Sequence, residues 1–243
     1  MRPVCQPDSV VGRRNGEHWA GRLWGRKISL PITRLLAPTK VTPDGITSAM
    51  IMIGLLASVS LAIPGLVGAV GAAIAIQVYL VADCIDGELA RWRGKTSMRG
   101  AYLDRLGHYV VEASLFCMYG FHVERTWSSP WTAASLGIGV LVVITKAETD
   151  LVLAVGGTGS DVSAPEALEP RATSLRSLRR IVHPLRIHRL TGAAEATLLM
   201  VVAAAIGLGW DDAERAAIVV FAVVAVGLAV GHAVAIVNSE RVR

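Results

Sequence analysis

Six apolar runs, at residues 46–63, 66–86, 98–121, 131–153, 193–210 and 213–237, alternate with short polar or turn-forming stretches along the chain. Each is close to the ~20 residues that carry a helix across a hydrocarbon core of ~30 Å. The pattern predicts an all-α integral membrane protein with six transmembrane helices. Before the first run, HWAGRLWGRKISL places Trp19, Leu23 and Ile28 on one helical face and Arg22, Arg26 and Lys27 off it. That is the pattern of an amphipathic helix lying in the membrane interface, which Pro31 is expected to end. A basic disordered tail is the alternative for the first residues, and no secretory leader pattern is visible. The connection between the fourth and fifth runs starts with Gly, Ser and Pro and becomes basic and amphipathic at Leu175, Leu178, Ile181, Val182 and Leu185. Two units result: a cytosolic N-terminal segment, 1–44, and a six-span domain, 45–243.

Composition agrees with the pattern. Apolar side chains make up 53% of the 243 residues, above the ~45–50% of soluble domains, and mean hydropathy is +0.50. Charge sets the orientation. Of 24 lysines and arginines, eight precede the first span, five lie in or just after the second connection, six lie in the fourth and two in the tail. The intervening connections hold only Arg125 and Arg215. By the positive-inside rule both termini and the second and fourth connections face the cytosol. The net charge of +5 therefore reads as topology and attraction to anionic membrane lipids, with no nucleic-acid partner implied. Cys5, Cys84 and Cys117 show no paired spacing, so neither a disulfide framework nor a zinc site is suggested.

The unusual chemistry lies between the second and third runs, in DCIDGELARWRGKTSMRGAYLDRLGH. Asp83 is about 26 Å along a helix from Leu66, near the cytosolic end of the second span, and Asp104 comes just after the third span re-enters. Asp83 and Asp86 share one helical face, and Asp104 and His108 share another. If those faces meet, four ligand-type side chains surround one pocket at headgroup depth. Ionised carboxylates there need a cavity, a partner or an ion. Pairing with Arg91 and Arg105 is one solution. A hard divalent ion, magnesium or manganese, is the better match for carboxylates converging from two helices.

Asp83, Asp86, Gly87, Ala90, Arg91, Gly100 and Asp104 stand at the spacings DxxDGxxAR, eight residues, GxxxD. In this the chain resembles the CDP-alcohol phosphotransferase (CDP-alcohol phosphatidyltransferase) family. The preceding TPDGITS is similar to the family's lead-in of Pro, Asn and Thr, with Asp44 where Asn is usual. The resemblance implies six helices around a cytosol-facing polar cavity. It also implies an enzyme of phospholipid biosynthesis that moves a substituted phosphate from a CDP-linked donor to an alcohol and releases CMP. Metal ligation falls to Asp83, Asp86 and Asp104, and binding of the CDP donor to Gly87, Ala90, Arg91 and Gly100, with Thr47 at the cytidine. CDP-diacylglycerol as donor would explain the depth of the site. One or two ions of Mg2+ or Mn2+ are the cofactors expected. The location expected is a plasma membrane of bacterial type, and a homodimer is an open expectation.

One signature position departs: the family's last aspartate, generally a metal ligand and the base for the acceptor hydroxyl, is His108. An imidazole is a weaker partner for a hard ion but titrates near ~6.5, which suits a base. Glu112, one turn further on the same face, is expected to orient it. The expected catalytic set is thus His108, Asp104 and Glu112. For the acceptor, Lys146, Arg186 and Arg189 are candidates, as basic residues in these regions serve family members that use inositol phosphate or glycerol phosphate. Alternatively, Lys146 pairs with Asp150 one turn on, and the arginines bind anionic lipid. Two rival functions stay open. A relative made non-catalytic by His108 would still bind metal or CDP-lipid. A divalent-cation transporter would need midplane charges and a repeat of spans, and neither is visible.

Overall fold

The computed structural model describes residues 1–7, 21–155 and 189–237. Among these the chain is all-helical. A short helix α1, Arg2–Cys5, is followed by a π-helical turn at Gly21–Gly25 that runs into α2, Arg26–Leu36. Six longer helices follow: α3 (Pro43–Ser60), α4 (Gly65–Trp92), α5 (Met98–Glu124), α6 (Pro130–Val155), α7 (Ala193–Gly207) and α8 (Ala213–Val237). They occupy the six predicted segments. Four of them, α3, α4, α6 and α8, are long and apolar enough to cross a membrane. Helix α5 has 27 residues but carries the charged motif in its first turns, and α7 has only 15. The protein is an integral membrane protein.

Local chemistry sets the helix ends. Thr42 caps α3 by accepting the Gly45 N–H at 3.1 Å, with Pro43 at the first helical position. Ser97 caps α5 by accepting the Gly100 N–H at 2.9 Å. Between α4 and α5, Gly94 takes φ of 60°, where a side chain is disfavoured, and closes the turn. Helix α4 extends past the predicted Asp86 to Trp92, because nothing in GELARW breaks a helix.

The expectation that Pro31 ends the N-terminal helix is corrected. Helix α2 continues through Pro31 to Leu36. Its inner face is polar: Ser29 and Thr33 are buried and donate to Glu88 of α4 at 2.6 and 2.8 Å. Arg93, also from the end of α4, donates to the carbonyls of Leu36 and Thr39 at 3.0 and 2.8 Å and to that of Val41, capping the last turn and its exit. Docking on α4 thus offsets the hydrogen bond that proline removes. Leu23, Ile28 and Leu35 remain exposed on the outer side.

The core explains where the cleft opens. Helix α3 packs against both α4 and α5, while α4 and α5 touch each other little; α4 also carries α2 and α7, and α6 joins α5 to α8. Phe116, Tyr119 and Phe221 fill the middle with edge-on ring contacts. At the end remote from the motif, His122 bridges the Leu61 carbonyl at 2.9 Å and Glu214 at 3.2 Å, and Glu124 pairs with Arg215 at 2.7 Å. With α3 wedged between them, α4 and α5 leave a gap at the motif end.

Helices α5 and α6 approach through small residues. A Cβ on Gly120 would lie 2.8 Å from the Thr132 Cα and 3.2 Å from its carbonyl oxygen, backbone atoms that move only with the helix. Gly120→Ala is therefore expected to cost about 1–3 kcal/mol, read as a lower melting temperature in detergent. Gly137→Ala, where a Cβ meets nothing within 4 Å, should leave it unchanged.

Candidate active site

The charged motif at the end of α4 and the start of α5 forms two adjoining features. The first is a cluster of donors from α4 and α5. One donor atom each from Asp83, Asp104 and His108 lies within 4.8 Å of the others. His108 Nε2 is 3.2 Å from Asp83 Oδ1 and 3.6 Å from Asp104 Oδ1. The Asp104 Oδ1 atom is buried and has no hydrogen-bond partner. Three converging donors, one of them buried without a hydrogen bond, fit a divalent ion. The second nitrogen, His108 Nδ1, is 2.7 Å from the Tyr79 hydroxyl, and the two rings meet edge-on. Tyr79 had no place in the sequence reading. Its signal was its position one turn before Asp83 on the same face of α4.

The second feature is a cleft beside the cluster, lined by Thr47, Asp86, Gly87, Ala90, Gly100 and Asp104, together with Asp44, Lys95, Thr96 and Ser97. Glycine matters here for close approach. A Cβ on Gly100 would come within 3.2 Å of Asp44 Oδ1, and one on Gly87 within 3.1 Å of an Arg91 terminal nitrogen. Lys95 supplies a cation on the rim that sequence reasoning missed, since a lysine in a GKTS turn looks like any exposed loop charge.

Several expected partnerships differ. Asp86 stands outside the three-donor cluster: its side chain accepts the Thr47 hydroxyl at 2.7 Å and the Gly87 N–H at 2.5 Å, and it is only 8% exposed. Thr47 is thereby committed to Asp86 while still lining the cleft. Arg91 does not line it directly; its Nε donates to the Cys5 carbonyl at 2.8 Å, which lays the guanidinium over Gly87.

Glu112 does not orient His108. It is 3% exposed and pairs with Lys146 at 2.8 Å, because α6 brings a cation closer than the histidine one turn away. The expected alternative for Lys146 fails as well: Asp150 pairs with Arg105 at 2.5 Å and accepts the Tyr109 hydroxyl. Arg105 is thus committed to α6 and not to the motif carboxylates. Arg189 stands just before α7, half-buried, and Arg186 lies outside the described residues.

This donor cluster and glycine-lined cleft lie together at one end of a helical membrane bundle. The family model for CDP-alcohol phosphatidyltransferases matches residues 40–160. The chain belongs to the CDP-alcohol phosphatidyltransferase family.

Its relatives include two proteins named bifunctional IPC transferase and DIPP synthase. The one from Aquifex aeolicus is 30% identical over 129 residues, which is 52% of this chain and 29% of that protein. The one from Thermococcus kodakarensis is 32% identical over 124 residues, 50% of this chain and 28% of that protein. The phosphatidylinositol phosphate synthase of Corynebacterium glutamicum is 26% identical over 122 residues, covering 50% of this chain and 55% of its own length. The matches therefore span about half of this chain and less than two thirds of each relative.

Among solved structures, the phosphatidylinositol phosphate synthase of Mycobacterium tuberculosis with CDP-DAG bound superposes with a TM-score of 0.61 at 18% identity, over 88% of this chain and 96% of that one. Its complex with manganese and citrate superposes with a TM-score of 0.60 at 18% identity, over 87% and 90%. The likeness to these structures is one of fold.

Proposed function

We propose that the protein is a phospholipid-biosynthesis transferase that moves a substituted phosphate from a CDP-linked lipid, CDP-diacylglycerol in the first instance, to an alcohol, releasing CMP. The observation that carries this reading is the Asp83, Asp104 and His108 donor cluster opening onto the cleft lined by the family's glycines. The relatives' names and the CDP-DAG-bound neighbour support it. Residues 45–243 form the catalytic unit, with α5 and α7 completing six spans, the site and both termini cytosolic, and α2 with the turn before it resting in the interface through Leu23, Ile28 and Leu35.

In this reading Asp83, Asp104 and His108 hold a divalent ion, Mg2+ or Mn2+, and Asp86 faces the cleft beside them. When bound, such an ion stabilises the charge that builds on the phosphoryl oxygens and on the leaving phosphate. The acceptor hydroxyl oxygen forms a bond to the donor's β-phosphorus as the bond from that phosphorus to the oxygen of CMP breaks. The hydroxyl proton passes to Asp104, or to His108 Nε2 where the ion rests on the two carboxylates and leaves that nitrogen free. Tyr79 holds the imidazole from its other nitrogen, so that Nε2 points at the cluster. Gly87, Ala90, Gly100, Thr47 and Lys95 bind the cytidine diphosphate, with Arg91 over Gly87. Lys146, half-buried in its pair with Glu112, is the candidate on the acceptor side.

The direct experiment is CMP release by purified protein supplied with CDP-diacylglycerol, Mg2+ or Mn2+ and a panel of polyols and their phosphates. Release with at least one acceptor is expected; none with any, alongside retained CDP binding, would favour a non-catalytic relative. Topology has its own test. Single cysteines at Lys95 and Trp127, in a background without the native three, should be labelled by a membrane-impermeant thiol reagent from opposite sides. Lys95 should react from the cytosol. The reverse pattern would overturn both orientation and site.

A further inference from the structure

Glu88 lies inside the signature, at a position the family spacing leaves free, yet it is fully buried, at 0% exposure. A carboxylate survives there only if its oxygens are satisfied. Three donors do this: Gln6 Nε2 at 2.7 Å and Ser29 Oγ at 2.6 Å on one oxygen, and Thr33 Oγ1 at 2.8 Å on the other. Gln6 also donates to the Arg26 carbonyl at 3.0 Å, so one side chain ties α1, α2 and α4 together. Its neighbour Cys5 is equally buried, at 0%. The Cys5 carbonyl accepts from Arg91 Nε at 2.8 Å.

The consequence falls on the cleft. With Nε held, the two terminal nitrogens of Arg91 lie 3.1 and 3.4 Å from where a Cβ of Gly87 would be, and Gly87 lines the cleft. An arginine recognises a diphosphate through that planar end, and its free side chain samples many rotamers. We propose that Gln6 and the Cys5 carbonyl are positioning elements for Arg91: residues 1–7, docked through Glu88, pre-set its guanidinium at the rim for the diphosphate of the donor. The inference rests on the proposed donor site. Its energetic content is pre-organisation: the cost of freezing Arg91 is met on folding and not on binding.

The test uses the full chain in nanodiscs, with CDP and cytidine as probes in the presence of Mn2+. Gln6→Ala and deletion of residues 2–6 should each raise the Kd for CDP roughly three- to ten-fold and leave cytidine binding unchanged, since cytidine has no diphosphate. In an Arg91→Ala background, itself weaker for CDP, Gln6→Ala should add nothing further. Ser29→Ala, which removes a different donor to Glu88, should lower the melting temperature without changing the CDP/cytidine ratio. By linkage, bound CDP should slow alkylation of Cys5, followed by mass spectrometry of its peptide.

A Gln6→Ala effect that is equal for CDP and cytidine, or that persists undiminished without Arg91, would overturn the positioning role. So would an unchanged CDP affinity in both N-terminal variants while Arg91→Ala weakens it. An inert Arg91→Ala would instead remove the donor reading of Arg91 on which the inference stands.

Discussion

Asp83→Asn and Asp104→Asn should each reduce CMP release by ~10²- to 10³-fold or more, the scale on which loss of transition-state charge stabilisation is felt. The two carboxylates come from different helices and meet in the cluster with His108. Each amide keeps the shape and loses the charge that a divalent ion requires. Stability should respond little at Asp104, because its Oδ1 has no hydrogen bond to lose, and detergent melting curves of variant and wild type should superimpose. Asp86→Asn should differ. It also impairs turnover, but it disturbs the buried bond from Thr47 at 2.7 Å, so part of its effect should appear as lost stability. Excess chelator should abolish wild-type activity, and added Mg2+ or Mn2+ should restore it. Full turnover in chelator would end the metal role; full turnover in Asp104→Asn would end the shared pocket.

His108→Ala should be nearly inactive, with His108→Asp retaining a measurable part of the wild-type rate. The imidazole presents Nε2 to both Asp83 and Asp104, at 3.2 and 3.6 Å, so whether it binds the ion or takes the acceptor proton, alanine removes the atom used. Aspartate restores the family's usual residue, a harder ligand and a weaker base. It cannot restore the contact to Tyr79, which Nδ1 makes at 2.7 Å. Tyr79→Phe should therefore lower activity in the wild type and have little effect on His108→Asp. Metal preference gives a second readout. A nitrogen donor should favour Mn2+ over Mg2+, and His108→Asp should shift that ratio towards Mg2+. Equal CMP release by wild type and His108→Ala would exclude His108 from the chemistry. An inactive wild type beside an active His108→Asp would make the protein a non-catalytic relative.

Much of the site was legible because its signals are local. Asp83 and Asp86 three apart, Asp104 and His108 four apart, and the glycines between them follow from helical geometry and one short turn. The helices were legible for the same reason, from apolar runs of membrane length and from capping residues such as Thr42 and Ser97. The misread elements depended on partners far away in the chain. Pro31 should end an isolated helix, but α2 continues because Ser29 and Thr33 bind Glu88, 59 and 55 positions on. Glu112 sits one turn from His108, yet Lys146 of α6 reaches it first. Arg91 matched a diphosphate-binding position, while its Nε is held by Cys5, 86 positions earlier.

The helical membrane class, the family signature and the residue types available for phosphoryl chemistry can be read from the chain alone, since hydropathy and i, i+3 or i+4 spacing act within a few turns. Which charges meet emerges from the packed fold: Asp83 and Asp104 share His108 while Asp86 turns to Thr47, Lys146 pairs with Glu112, and the N-terminal residues reach the motif helix. A buried charge takes whichever partner packing brings within hydrogen-bond reach. That choice is made by how helices dock, and adjacency in the chain does not encode it.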